Sequence, residues 1–355
     1  MKRKILLLLL FVGVTASAQT TTPQVKQLAY QITRGISTDS LKVRAIFEWI
    51  TKNIAYDTEL LNNIAKKTTE EYTLSQKSDK VIQRKKAVCM GYSTLFEELC
   101  MASGITAYNI SGYCKNFIFQ TNRLSFTLEH HSWNAVKINN RWYLCDLTWS
   151  AGSVNEKGTF SRKQNEEFYL SNGQAFINRH IPFDPIWQLL ERPVTMNEFK
   201  YAQKHRKLSY FNYTDSLRVY ESLNAEQQKL GSDLRSLTFD SSNDEAKLSI
   251  GYYYAKKAEN NSKRWHELVT SFMNKNTMDS YRRANEEKEQ VYQLLTSIEQ
   301  DMQQARYYYS LISPTSHVSR TALSNIRSAD SYLYFVEQNK ESMAQYYDTL
   351  KKVKY

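Results

Sequence analysis

The chain has 355 residues, with 47 Lys and Arg against 36 Asp and Glu for a net charge of +11, 41% hydrophobic residues and four cysteines. That length allows two domains, and the hydrophobic share can fill a buried core. No zinc-ligand spacing, acidic calcium loop, glycine-rich phosphate loop or nucleic-acid motif is present, so no metal, cofactor or nucleic-acid partner is expected.

The first residues read as a targeting element. Lys2, Arg3 and Lys4 precede an apolar run from Ile5 to Val14, and Ala16-Ser17-Ala18 forms a small-residue cleavage site before Gln19. The run is shorter than the roughly 20 apolar residues of a spanning helix, and no later segment comes close. Residues 1–18 are therefore expected to be a signal peptide cleaved after Ala18, with a periplasmic or secreted mature chain. The mature balance is then 44 cations against 36 anions, or +8, enough for weak attraction to anionic cell-surface polymers.

Cys89 stands at a predicted helix start. Leu95, Phe96, Leu99 and Cys100 follow it with the i, i+3, i+4 spacing of a buried stripe. Unpaired N–H groups and the helix dipole at such a start favour an anionic sulfur. Arg84, Lys85 and Lys86 lie just upstream, although a basic run of this kind is more often a solvated turn.

His131 to Ile138 and Arg141 to Leu147 read as strands, and Asn139-Asn140 suits a two-residue hairpin turn. With that loop Ile138 pairs with Arg141, Trp133 with Asp146 and His131 with Thr148. Residues two apart share a face, so His131, Trp133, Asp146 and Thr148 point the same way. His131 and Asp146 become diagonal neighbours roughly 7–8 Å apart, a span two side chains can bridge. His130 has the opposite parity and reads as a bystander. Asn134, also of opposite parity, reads as a structural hydrogen-bonding residue. Trp133 and Trp149 read as packing wedges ahead of an acyl pocket, and Tyr92 as a core or cleft residue.

A buried thiol or a strand histidine is ordinary by itself. Thiol, imidazole and carboxylate together, at a helix start and on one sheet face, supply a nucleophile, a base and an acid that orients the base. At these residues the chain resembles the transglutaminase-like superfamily, specifically a bacterial branch close to kyphoscoliosis-type peptidases. Leu41 to Ile50, ending in Asn53-Ile54-Ala55-Tyr56-Asp57, looks like the opening helix of such domains. Phe176, His180-Ile181-Pro182, Asp184-Pro185 and Trp187-Gln188-Leu189-Leu190 look like their closing segment. The likeness spans roughly residues 25 to 200. One departure is Ala87, where many members have glycine two residues before the cysteine.

The resemblance implies an α+β, papain-like core, with a helix bearing the cysteine packed on an antiparallel sheet. It also implies Cys89 as nucleophile, His131 as general base and Asp146 as the residue orienting that base. The implied chemistry is acyl transfer through a thioester, resolved by water in a peptidase or amidase and by an amine in a protein-cross-linking transglutaminase. The substrate would be a polypeptide, such as a cell-envelope peptide. The Cys89 N–H is the natural first oxyanion donor, and no second donor is evident. A third reading is a non-catalytic interaction module whose helical region recruits a protein partner.

Cys89 and Cys100 share a helical face but stand roughly 16 Å apart along the axis, too far for a disulfide. Cys100, Cys114 and Cys145 can form at most one pair, or all remain buried free thiols.

Composition changes near residue 200 to charged, Gln-rich, Gly-poor sequence, dividing the chain into residues 19–200 and a helical region 201–355. Positions 284, 288, 291, 295, 298, 302, 305, 309 and 312 step by four and three, and all but Lys288 are apolar or Tyr. Pro314 stops that helix, and a second stripe runs from Ala322 to Leu350. Together they predict an antiparallel helical hairpin or bundle. Shorter helices are expected at Thr214 to Leu223 and Asn243 to Ala258. In the triplets Tyr252 to Tyr254 and Tyr307 to Tyr309, one or two rings should face the core.

Overall fold

The computed structural model describes residues 21–63, 66–120, 123–201, 210–273 and 279–352. The expected signal peptide lies outside the described residues. Two compact units divide the chain, one ending at Gln228 and one beginning at Lys229.

The first unit opens with α1 (Pro23–Thr33), α2 (Asp39–Asn53), β1 (Ala55–Tyr56), α3 (Thr58–Asn63), α4 (Thr69–Ser75), α5 (Ser78–Arg84), β2 (Lys86–Ala87) and α6 (Cys89–Ala102). Strands β3 (Ala107–Gln120), β4 (Arg123–Ile138) and β5 (Arg141–Cys145) follow, then α7 (Leu147–Ala151), β6 (Gly152–Val154), β7 (Phe160–Arg162), α8 (Gly173–Phe176), β8 (His180–Pro182), α9 (Met196–Tyr201) and α10 (Tyr213–Ser222). Thr22 and Thr38 cap α1 and α2 by accepting from Val25 and Leu41 N–H. The apolar stripe of α2 (Val43, Ile46, Phe47, Ile50) meets Tyr92, Leu95, Phe96 and Leu99 of α6 in one fully buried cluster. The same cluster takes in Val136 and Ile138 of β4, so α6 is the central helix between α2 and the sheet.

The main sheet is antiparallel with strand order β5-β4-β3-β8. Asn139 and Asn140 take the left-handed conformation at φ 52° and 60°, as a two-residue hairpin turn with the right twist requires. The pairing of Ile138 with Arg141 and of Asn134 with Cys145 fixes the expected register. One expectation is overturned: β5 stops at Cys145 instead of running to Leu147. Asp146 turns its side chain onto the Trp149 N–H at 3.0 Å and caps α7, so Thr148 lies in a helix and not opposite His131.

Gly112 pairs with His131 on one side and Pro182 on the other. A Cβ there would lie 2.1 Å from the Ile181 carbonyl oxygen and 2.6 Å from the Trp133 ring. Absence of a side chain thus admits both the β8 backbone and an indole against β3.

In the second unit, α12 (Asp244–Met273), α13 (Asp279–Ser310) and α14 (Ser319–Lys352) follow α11 (Ala225–Phe239), the helix that crosses the division. Helix α13 packs against both α12 and α14, giving a three-helix arrangement that includes the expected hairpin. The helix expected to end at Ala258 continues to Met273, because Ala258, Trp265 and Val269 extend its buried stripe and no proline or glycine interrupts them. The tyrosine triplets meet across α12 and α13. Tyr254 stacks on Tyr308 with centroids 6.0 Å apart, and buried Tyr309 fills the space left by Gly251, whose absent Cβ would sit 2.3 Å from its ring.

Candidate active site

Cys89 begins α6, whose N-cap, Val88, makes no side-chain capping bond. The approach is held from outside the helix: Gln76 Oε1 accepts the Val88 N–H at 3.0 Å. Gly91 permits this, since a Cβ there would lie 2.5 Å from Gln76 Oε1 and 2.8 Å from the Ala87 methyl. Ala87 itself lies in β2, paired in parallel with Tyr56, and its backbone does not enter the left-handed region. The departure from glycine at that position is therefore accommodated by extended backbone.

The three upstream cations have other partners or face solvent. Arg84 pairs with buried Asp57, Lys85 lies 4.4 Å over the Trp49 ring, and Lys86 is exposed. Tyr56 and Tyr72 pack in the small apolar cluster with Val88 and Met90, the residues on either side of Cys89. Burial raises both phenols above their ordinary range and the Cys89 charge adds to the effect, so both hydroxyls stay protonated.

His131 Nε2 donates to Asp146 Oδ2 at 2.8 Å. His131 is nearly buried at 7% exposure, and Asp146 is fully buried. Burial works against the imidazolium, but the Asp146 charge and hydrogen bond outweigh it, with Cys89 contributing as a further hydrogen-bonding neighbour. His131 consequently titrates well above its ordinary value. Burial likewise opposes the Asp146 carboxylate, yet His131, and after it His180, hold it well below the usual carboxylate range. With Nε2 committed to Asp146, Nδ1 is the ring nitrogen left for the thiol. His130 faces elsewhere, its ring 4.6 Å from Tyr113 and 5.8 Å from Phe183.

A fourth group was not assigned from sequence. His180 Nε2 also donates to Asp146 Oδ2, at 2.9 Å. The ring has no exposed surface and is enclosed by Phe176, stacked at 4.2 Å, Trp149 at 4.7 Å, Trp133 at 5.1 Å and Phe168 at 5.3 Å. Burial drives its pKa down to about 4 despite the Asp146 bond, so the ring is neutral and carries its proton on Nε2. Nδ1 is buried without a partner. Among the described residues, His131, Asp146 and His180 form the one group of three or more that brings His, Cys, Asp or Glu donor atoms within 4.8 Å of one another. Two atoms on a tetrahedral zinc with bonds of roughly 2.0–2.1 Å stand about 3.3 Å apart. The observed separations are instead hydrogen-bond lengths.

The remaining sequence candidates have structural surroundings. Asn134 is buried and donates to the Ser93 carbonyl at 2.9 Å. The Tyr92 hydroxyl donates to the Ile54 carbonyl at 2.7 Å inside the core. Trp133 is buried, while Trp149 is half-buried with its ring 5.6 Å from His131. All four thiols are free. Cys100, Cys114 and Cys145 are buried, and Cys89 alone has intermediate exposure. Burial pushes Cys114 and Cys145 up to about 12 and Cys100 well above its ordinary value.

Residues 26–147, which contain Cys89, His131 and Asp146, match the transglutaminase-like superfamily. The chain is 33% identical to the kyphoscoliosis peptidase of Mus musculus over 198 residues, covering 55% of this chain and 29% of that protein. Identity to the Homo sapiens kyphoscoliosis peptidase is also 33%, over 197 residues and the same shares. The chain therefore spans under a third of the length of these relatives. A solved structure described as a TGase is 21% identical, with a TM-score of 0.27, covering 41% of this chain and 33% of that one. Residues 26–147 therefore carry a transglutaminase-like core, and a helical C-terminal region follows it.

Proposed function

We propose that the first unit is a cysteine-dependent acyl-transfer enzyme that hydrolyses amide bonds in polypeptides. One observation carries this: the half-exposed thiol of the chain sits at a helix start beside an imidazole that a buried carboxylate holds protonated. A thiolate facing an imidazolium is a nucleophile with its proton donor already in place. The sulfur attacks the amide carbon, and His131 gives its proton to the departing amine as the C–N bond breaks. Water then adds to the thioester while His131 takes a proton from it, and the acid departs as the C–S bond breaks, leaving the thiolate facing the imidazolium again. The name of the kyphoscoliosis peptidases supports hydrolysis as the outcome. The leader-like N-terminus supports action outside the cytoplasm. Among the described residues no helix is long and apolar enough to cross a membrane.

Iodoacetamide labelling at pH 7, read by peptide mass mapping, tests the reading. Cys89 should be modified first and alone in the native protein, and all four cysteines after denaturation. Equal labelling of all four under native conditions would overturn it. Adding a primary amine during turnover of a peptide mixture separates the outcomes: free carboxylate products support hydrolysis, and amine incorporation points to cross-linking.

A further inference from the structure

Asp146 Oδ2 accepts from two imidazoles, at 2.8 Å from His131 and 2.9 Å from His180, while Oδ1 accepts the Trp149 N–H at 3.0 Å. All three donors are spoken for by one fully buried side chain. A carboxylate with a single imidazole partner can rotate about its Cβ–Cγ bond. Here the Trp149 N–H holds Oδ1 and His131 holds Oδ2 from one side, and the His180 donor on Oδ2 from the other removes the tilt that those two bonds leave.

We propose that His180 is a positioning residue for the thiol chemistry: its Nε2–H locks the Asp146 carboxylate so that the same oxygen aims the His131 ring at Cys89. The assignment rests on the proposed cysteine-dependent reaction. His180 comes from β8, paired to β3 at Cys114, so its ring reaches Asp146 from the opposite edge of the sheet rather than along the hairpin. The aromatic enclosure sets the tautomer. Phe176, Phe168, Trp133 and Trp149 provide no acceptor for a proton on Nδ1, which is left unprotonated, and the proton resides on the nitrogen facing Asp146. The charged or titratable groups around the ring are Asp146, His131 and Arg179. A neutral donor suits this place, because a second imidazolium would compete with His131 for the carboxylate charge.

The test is the pH dependence, from pH 3 to 9, of the second-order rate of Cys89 alkylation by iodoacetamide in the full chain, comparing wild type with His180→Gln and His180→Phe. Glutamine can place an amide N–H near the Nε2 position, whereas phenylalanine keeps the stacking and removes the donor. In His180→Phe the acid limb should move up by about one pH unit, read as about a tenfold slower rate on the limb. His180→Gln should restore the rate to within roughly threefold. Rescue by Phe and not by Gln would mean a packing role and overturn the proposal, as would wild-type behaviour in both variants. Should neither variant fold, histidine ¹⁵N shifts of the wild-type protein decide. A neutral Nε2–H ring from pH 5 to 8 is expected for His180, and a titrating or Nδ1–H ring overturns the assignment. A wild-type Cys89 that reacts no faster than a free thiol defeats the parent reading instead, so the two failures are distinguishable.

Discussion

The Asn134 side-chain amide donates to the Ser93 carbonyl at 2.9 Å, tying the strand that carries His131 to the helix that carries Cys89. The same amide group reaches the Tyr108 carbonyl at 3.3 Å, so β3, β4 and α6 meet at one buried side chain. Replacing Asn134 by Ala should cost about 1–3 kcal/mol, since two buried hydrogen bonds from its amide are lost. Urea unfolding measures the loss, and slower alkylation of Cys89 in the still-folded variant would show that the tie also sets the distance between thiol and imidazole.

Gly112 predicts a larger penalty. Because the atom facing its missing Cβ is the Ile181 carbonyl oxygen at 2.1 Å, no side-chain rotation relieves Gly112→Ala. The β3–β8 pairing should break, at a cost above about 4 kcal/mol. Gly158→Ala is the control: φ is +76° with nothing within 4 Å, so backbone strain alone should cost about 1–2 kcal/mol. Similar melting temperatures for the two variants would refute the close approach.

Acid should destabilise the first unit through two groups. His180 is depressed to about 4 in the fold, so between that value and the ordinary histidine range the unfolded chain binds a proton the native state excludes. Stability therefore falls as pH drops across that window, by about 3 kcal/mol in all for this group. Asp146, depressed below the carboxylate range, adds a loss as pH falls through the unfolded carboxylate value and below it. His131 has the opposite sign: its raised value contributes stability at neutral pH that is lost as pH climbs through that value. Chemical unfolding at pH 4, 5 and 6 should give a rising series, with a shallower slope in His180→Phe.

In the second unit, Gly251→Ala should be destabilising by about 1–3 kcal/mol through crowding of the Tyr309 ring. Tyr309→Leu on the same background should recover part of that loss. Additive effects in the double-mutant cycle would contradict direct contact.

Much of the candidate site could be read locally. The Asn139-Asn140 turn fixes the register, and the register puts His131 and Asp146 on one face, because hairpin geometry depends on neighbouring residues alone. Strand alternation does not reveal the end of β5, because Asp146 competes for the backbone as a helix cap. His180 was out of reach for a different reason: β8 has three residues and finds β3 only in the folded molecule. Tyr72 likewise comes to Cys89 from α4, a segment with no periodic signature pointing there.

The placement of His180 sets a minimum length for an intact site. A fragment ending at residue 147, the last position of the superfamily match, would contain the thiol, the base and the acid yet leave the Asp146 carboxylate with one of its two imidazoles. During synthesis the ring arrives more than thirty residues after the acid it grips, so the assembled site matures only once β8 has docked.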